Sequence, residues 1–193
     1  AITFQKNKSD LIDNSSLKET IELNGVNLIT IKFLLIIDET KPKSIKIDNL
    51  KKINEVVSIS IPTKTNSLKI VTEVKIFPKD NSSLEGLYES NKMFCTQCEP
   101  EGFRKITWFP DRPDCLSEFT VKIESSSRFN TIISNGNLIN EGVVKNNNKR
   151  HFKVWHDPFP KPSYLFALVV GNLEFYESSF TTFSNKKIIL KIF

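Results

Sequence analysis

The stretch Asn27-Leu28-Ile29-Thr30-Ile31-Lys32-Phe33-Leu34-Leu35-Ile36-Ile37 is dominated by β-branched and aromatic residues. Such side chains suit a pleated surface, and a run this apolar toward its end predicts a strand buried there on both faces. Just upstream, Thr20-Ile21-Glu22-Leu23 alternates with period two, and Asn24-Gly25 follows as a strong turn signal. Downstream, Ser44-Ile45-Lys46-Ile47-Asp48 alternates again. Residues 56–61 and 68–77 read as two more strands, ended by Pro62 and by Pro78-Lys79-Asp80-Asn81. The second half continues in kind. Phe119-Thr120-Val121-Lys122-Ile123 alternates, residues 130–133 form a short strand, and Ser134-Asn135-Gly136-Asn137 marks a turn. Residues 151–155 alternate around Phe152 and Val154, and Asn146-Asn147-Asn148 between Lys145 and Lys149 reads as a polar hairpin tip. The unbroken apolar run 164–170, closed by Gly171, predicts a central buried strand.

Helix is scarce. The best local candidate is Asp111-Arg112-Pro113-Asp114-Cys115-Leu116-Ser117, with Asp111 as cap, Pro113 in the first turn and Asp114 at the positive end of the dipole. Many short strands separated by turns imply an all-β fold, a sandwich or a pair of open sheets.

The chain of 193 residues is long enough for one domain, or one domain and part of a second. Hydrophobic residues make up 39% and charged residues 25%, a balance that excludes wholesale disorder. The richest apolar run, residues 33–37, is bounded by Lys32 and Asp38, so no membrane span is read. The first residues, Ala1-Ile2-Thr3-Phe4-Gln5-Lys6, lack the layout of a signal peptide and an initiator Met. They suggest a chain that starts inside a longer protein. The net charge of +5 rests on 23 Lys and only 4 Arg, scattered singly or in pairs as at Lys41, Lys43, Lys46, Lys51 and Lys52. A nucleic-acid surface would cluster them beside exposed aromatics, so no nucleic-acid partner is expected. Three cysteines (Cys95, Cys98, Cys115) without a signal peptide read as reduced thiols in a cytoplasmic protein.

Few residues offer chemistry by themselves. Cys95 and Cys98 have half the spacing of a structural zinc site, but closing it would need Cys115 and either His151 or His156 at spacings no common zinc module uses. A redox pair would sit at a strand-to-helix junction, and the surroundings here are strand and loop. His151 and His156 have no Ser or Cys nucleophile at recognisable spacing, the H-E-x-x-H motif is absent, and the glycines are too dispersed for a phosphate loop. No catalytic constellation is complete within the chain.

Residues 84–114 differ in texture, with Thr96, Gln97, Glu99, Glu101, Arg104, Asp111, Arg112 and Asp114 set among aromatics and little regular alternation. Loop-rich stretches on a β scaffold commonly carry binding residues. Three ordered blocks stand out. The first is Leu84-Glu85-Gly86-Leu87-Tyr88 followed by Cys95-Thr96-Gln97-Cys98-Glu99. The second runs from Glu101-Gly102-Phe103-Arg104 to Asp111-Arg112-Pro113-Asp114. The third combines Ser134-Asn135-Gly136-Asn137, Asp157-Pro158-Phe159-Pro160-Lys161-Pro162 and Tyr164-Leu165-Phe166-Ala167-Leu168-Val169-Val170-Gly171. Together they resemble the N-terminal domain of the M1 zinc aminopeptidases, in the bacterial aminopeptidase N branch.

The resemblance implies a two-sheet, all-β saddle or sandwich-like domain over residues 1–172, its first strands missing. Residues 173–193 would be the start of a thermolysin-like catalytic domain against which it packs. It implies that Gln97 and Glu99 bind the free α-amine of a peptide substrate, a role their chemistry suits because an ammonium group donates to a carboxylate and an amide oxygen. Without the resemblance, Glu99 would read as a surface carboxylate or a partner of Arg104. The family's zinc ligands and exopeptidase motif lie beyond Phe193, so zinc would be held by the catalytic domain and this chain alone would be inactive. A non-catalytic β-sandwich interaction module derived from the same fold is the alternative.

Overall fold

The structure is a computed structural model, and it describes residues 2–5, 18–38, 43–44, 52–53, 55–62 and 65–193. Period-two sequences here do become strands. β1 (Ile2–Gln5), β2 (Lys18–Asn24), β3 (Ile29–Ile37), β4 (Lys43–Ser44), β5 (Lys52–Ile53), β6 (Val56–Pro62) and β7 (Ser67–Lys75) form the first half. They hydrogen-bond in two antiparallel sheets of order β1-β7-β3-β4 and β2-β6-β5. Phe33 and Leu35 of β3, Val57, Ile59 and Ile61 of β6, and Leu68 and Ile70 of β7 alternate into one core with Leu23 and Trp108. One face of β3, β6 and β7 is thus withdrawn from water, the arrangement alternation predicts. The flanking Ile36 and Ile37 of β3 are half-buried, while Ile29 and Ile31 at its start are exposed.

The second half comprises β8 (Gly86–Ser90), β9 (Met93–Gln97), β10 (Ser117–Ser126), β11 (Thr131–Ser134), β12 (Asn137–Val144), β13 (Asn147–Lys161) and β14 (Leu168–Gly171). Two sheets result, β11-β14-β9-β8 and β10-β13-β12. The β8–β9 hairpin turns through Asn91 and Lys92, both at positive φ (48° and 63°), the twist that matches paired strands. Phe103, Phe109, Phe119 and Phe166 meet edge to face, tilted or stacked around Cys98, and Phe129, Ile132 and Val170 make a neighbouring cluster. The last strands, β15 (Tyr176–Thr181) and β16 (Lys187–Ile192), pair with each other alone among the described residues.

The fold is all-β. Among the described residues there is no α-helix, only 3-10 turns at Phe103–Lys105 and Ser163–Leu165. The helix predicted over 111–117 does not form. Asp111 is buried and spends its carboxylate on residues distant in sequence, and Cys115 N donates to Arg112 O in a single turn. The Asn24-Gly25 signal is a change of sheet rather than a hairpin, because β2 pairs with β6 and β3 with β7. The apolar run 164–170 is strand only from Leu168, since Tyr164 and Leu165 lie in an exposed 3-10 turn; the strand it does form is central in its sheet. Of the alternation at 44–48, residues 45–48 lie outside the described residues.

Candidate functional site

The candidate site lies where β9 ends. Gln97 is its last residue, paired with Gly86 of β8, and the chain then closes a tight turn in which Gly102 N donates to Cys98 O at 3.0 Å. A β-carbon on Gly102 would come within 2.4 Å of the Gln97 carbonyl oxygen, so only glycine lets the turn fold back this closely. Cys98 points into the phenylalanine cluster and is buried. Its neighbours Gln97 and Glu99 therefore face outward, and both are exposed.

Gln97 Nε2 donates to the Glu99 carbonyl at 3.2 Å. That bond uses one of the two amide N–H donors and leaves the amide oxygen free to accept. Among the described residues no cation pairs with the Glu99 carboxylate. The reading of Glu99 as a partner of Arg104 does not hold here, because Arg104 is engaged elsewhere. Its Nη1 meets Glu101 Oε2 at 3.1 Å, and its Nε and backbone N both donate to Asp111 Oδ2, at 2.9 and 3.1 Å. Its Nη2 donates to the Asp111 carbonyl at 2.8 Å.

Asp111 is the hub beneath this surface. Its second carboxylate oxygen accepts from the buried Ser163 hydroxyl, and its backbone N donates to Asn24 Oδ1 at 3.2 Å. A buried carboxylate is tolerable when paired and hydrogen-bonded on both oxygens, and Asp111 is. Burial pushes the Cys98 thiol up to about 12, helped by the negative charge of Asp111. Cys98 is therefore a packed, protonated thiol at neutral pH.

The other titratable candidates do not converge. Cys95 is half-buried on β9, opposite Tyr88, whose hydroxyl is held above its ordinary range chiefly by their hydrogen bond. His156 Nδ1 lies 3.0 Å from Thr120 Oγ1 on the neighbouring strand. Among the described residues no three His, Cys, Asp or Glu side chains are grouped to hold a metal ion. Sequence reasoning named Gln97 and Glu99 as candidates, and it missed the Arg104–Asp111–Ser163 network. Arg104 and Asp111 lie seven residues apart, whereas nothing local in the sequence connects either to Ser163.

A profile of the peptidase M1 N-terminal domain matches residues 4–165. The chain is 48% identical over 135 residues to an aminopeptidase N of Caulobacter vibrioides, covering 70% of this chain and 15% of that protein. It is 46% identical over 128 residues to the aminopeptidase N of Escherichia coli, covering 66% of this chain and 14% of that one. The chain thus spans about one seventh of the length of these curated relatives. Among solved structures, Legionella pneumophila aminopeptidase A in complex with aspartic acid superposes with a TM-score of 0.77 at 26% identity, over 98% of this chain and 21% of that one. An M1 zinc metallopeptidase from Deinococcus radiodurans, an E323A mutant bound to a Tyr-Ser-Ala substrate, shares the fold with a TM-score of 0.65 at 15% identity, over 89% of this chain and 39% of that one.

Proposed function

Because the chain belongs to the peptidase M1 N-terminal domain family, we propose that it is the substrate-amine-binding domain of a zinc aminopeptidase that removes residues from peptide N-termini. In this reading Glu99 accepts from the substrate's ammonium group as an anion and Gln97 accepts through its amide oxygen. Fixing the amine fixes the distance to the first peptide bond, which selects cleavage one residue from the end. The supporting observation is the outward pair at the end of β9. The Glu99 carboxylate is without a cation among the described residues while the nearby Arg104 is fully committed to Glu101 and Asp111.

The described residues gather no ligand set for zinc. We assign the metal to a catalytic domain outside this chain, and the isolated chain should hydrolyse no aminoacyl substrate. Residues 1–172 would be the amine-binding domain and residues 173–193 the first strands of the catalytic one. Exposed Phe175, Tyr176, Phe180, Phe183, Ile189 and Ile192 give that last segment an apolar surface of the kind that packs against a further domain. No helix among the described residues is long and apolar enough to cross a membrane, and a cytoplasmic enzyme acting on peptides with a free N-terminus is the proposed setting.

The test is Glu99→Gln in the full-length protein. Losing a charged hydrogen bond in a partly desolvated site should lower kcat/KM for free-amine peptides by roughly 30- to 1,000-fold, with zinc content unchanged. Gln97→Ala should cost less, because a neutral acceptor is worth less than a charged one. A Glu99→Gln enzyme within about twofold of wild type would remove the amine-anchor role.

A further inference from the structure

We propose that Arg104 is a positioning residue for Glu99, holding the 98–102 turn against the buried Asp111 so that the anchor is preset before substrate arrives. The inference rests on the amine-anchor reading above. The turn has little to fix it from within. One backbone bond closes it, from Gly102 N to Cys98 O, the Gln97 side chain adds one exposed bond to the Glu99 carbonyl, and Pro100 has no N–H to contribute. Glu101 occupies the left-handed region at φ 65°, which a non-glycine residue adopts only when its surroundings hold it there.

Arg104 supplies that hold. Its guanidinium divides between two carboxylates at different depths: Nε on Asp111, whose side chain is 3% exposed, and Nη1 on Glu101, whose side chain is 69% exposed. The Arg104 side chain as a whole is largely sheltered, at 17% exposure. Asp111 is in turn gripped by Ser163 and by the Arg104 backbone N–H. A path of hydrogen bonds therefore leads from the core, through one rigid planar fork, to the residue two positions after Glu99. Lysine carries the same charge but a single nitrogen, so it cannot reproduce three donors at fixed angles. A turn left to order itself on binding would spend part of the interaction with the ammonium group on that ordering.

The experiment is a double-mutant cycle in the full-length enzyme with a free-amine peptide as substrate. Arg104→Lys should lower kcat/KM by about tenfold, mainly through KM, with zinc content unchanged. In a Glu99→Gln background the same change should cost no more than about twofold, because the group being positioned has lost its charge. Glu101→Ala, at an exposed position, cuts only the outer link. It should give a smaller loss of the same kind, likewise absent in the Glu99→Gln background, and it decides the matter if Arg104→Lys fails to fold. Losses that persist undiminished beside Glu99→Gln would show general structural damage and overturn the positioning role while leaving the anchor standing. A Glu99→Gln enzyme that is itself unimpaired would overturn the anchor, and the positioning role with it.

Discussion

The Trp108 ring lies against Gly25 so closely that a β-carbon there would come within 2.4 Å of the indole. The same indole N–H donates to Thr30 Oγ1 at 2.8 Å, 78 residues away in sequence. Trp108 follows the candidate site in the chain, yet it is 1% exposed in the core of the first two sheets. A tryptophan contributes a large buried area and a donor that needs a partner, and both are provided here by the strands it joins. The halves of the domain are locked together through this residue and the Asn24–Phe109 bridge beside it.

Gly25→Ala should therefore destabilise the protein by about 1–3 kcal/mol, since the added methyl must displace a ring that is packed on all sides. Urea denaturation of the wild type and variant would measure it. An unchanged midpoint would mean that the ring does not occupy this place.

Ser163→Ala should cost about 1–3 kcal/mol, because it strips a donor from the buried Asp111 carboxylate and leaves that charge less satisfied. Ser163 is 1% exposed, so water does not replace the hydroxyl. Thermal melting is the simplest measurement, and a variant as stable as wild type would contradict a tight hub.

Asp157 should make stability depend on pH at the acid end. The Lys161 ammonium bonded to it, with the Phe159 N–H, holds its carboxyl below the usual carboxylate range against the opposing effect of burial. A carboxyl with a depressed folded pKa contributes stability that is present above its unfolded pKa, near 3.8, and that is lost as pH falls through the lower folded value. Asp157→Asn should thus be less stable than wild type at neutral pH, with the difference shrinking only below about pH 4. A difference that stayed constant into strong acid would assign the effect to packing.

The three thiols should separate by reactivity. Iodoacetamide at mildly alkaline pH should leave Cys98 unmodified in the folded protein, since it is buried and its thiol is pushed up to about 12. After unfolding, all three should be alkylated, as mass spectrometry would count. Labelling of Cys98 in the native state as fast as the half-buried Cys115 would show that the 98–102 turn opens readily.

The strands were legible where alternation and punctuation agree, as in β6, which alternates Val57, Ile59 and Ile61 and ends at Pro62. The sequence misled where a residue's local chemistry is spent at a distance. Asp111 has the side chain of a helix cap, but its oxygens bind Arg104 and Ser163. Asn24-Gly25 has the composition of a hairpin turn, but the glycine is there to admit Trp108. Gln97 and Glu99 were marked only by the family motif around them, since period-two reasoning says merely that they flank an inward Cys98. The Arg104 network is a product of tertiary folding, and no spacing rule joins residues 104, 111 and 163.

Asp111 meets Asn24, 87 residues before it, and Ser163, 52 residues after it. Contacts of such separation form late, because the loops between them must be closed before any of them is rewarded. The surface carrying Glu99 is therefore among the slowest parts of the chain to acquire its shape. During synthesis, at about 5–20 residues per second, the turn at 98–102 must wait several seconds for Ser163 to be added and longer for it to clear the ribosome. Until then the phenylalanines gathered beneath it have no finished core, and apolar surface left open in this way favours aggregation.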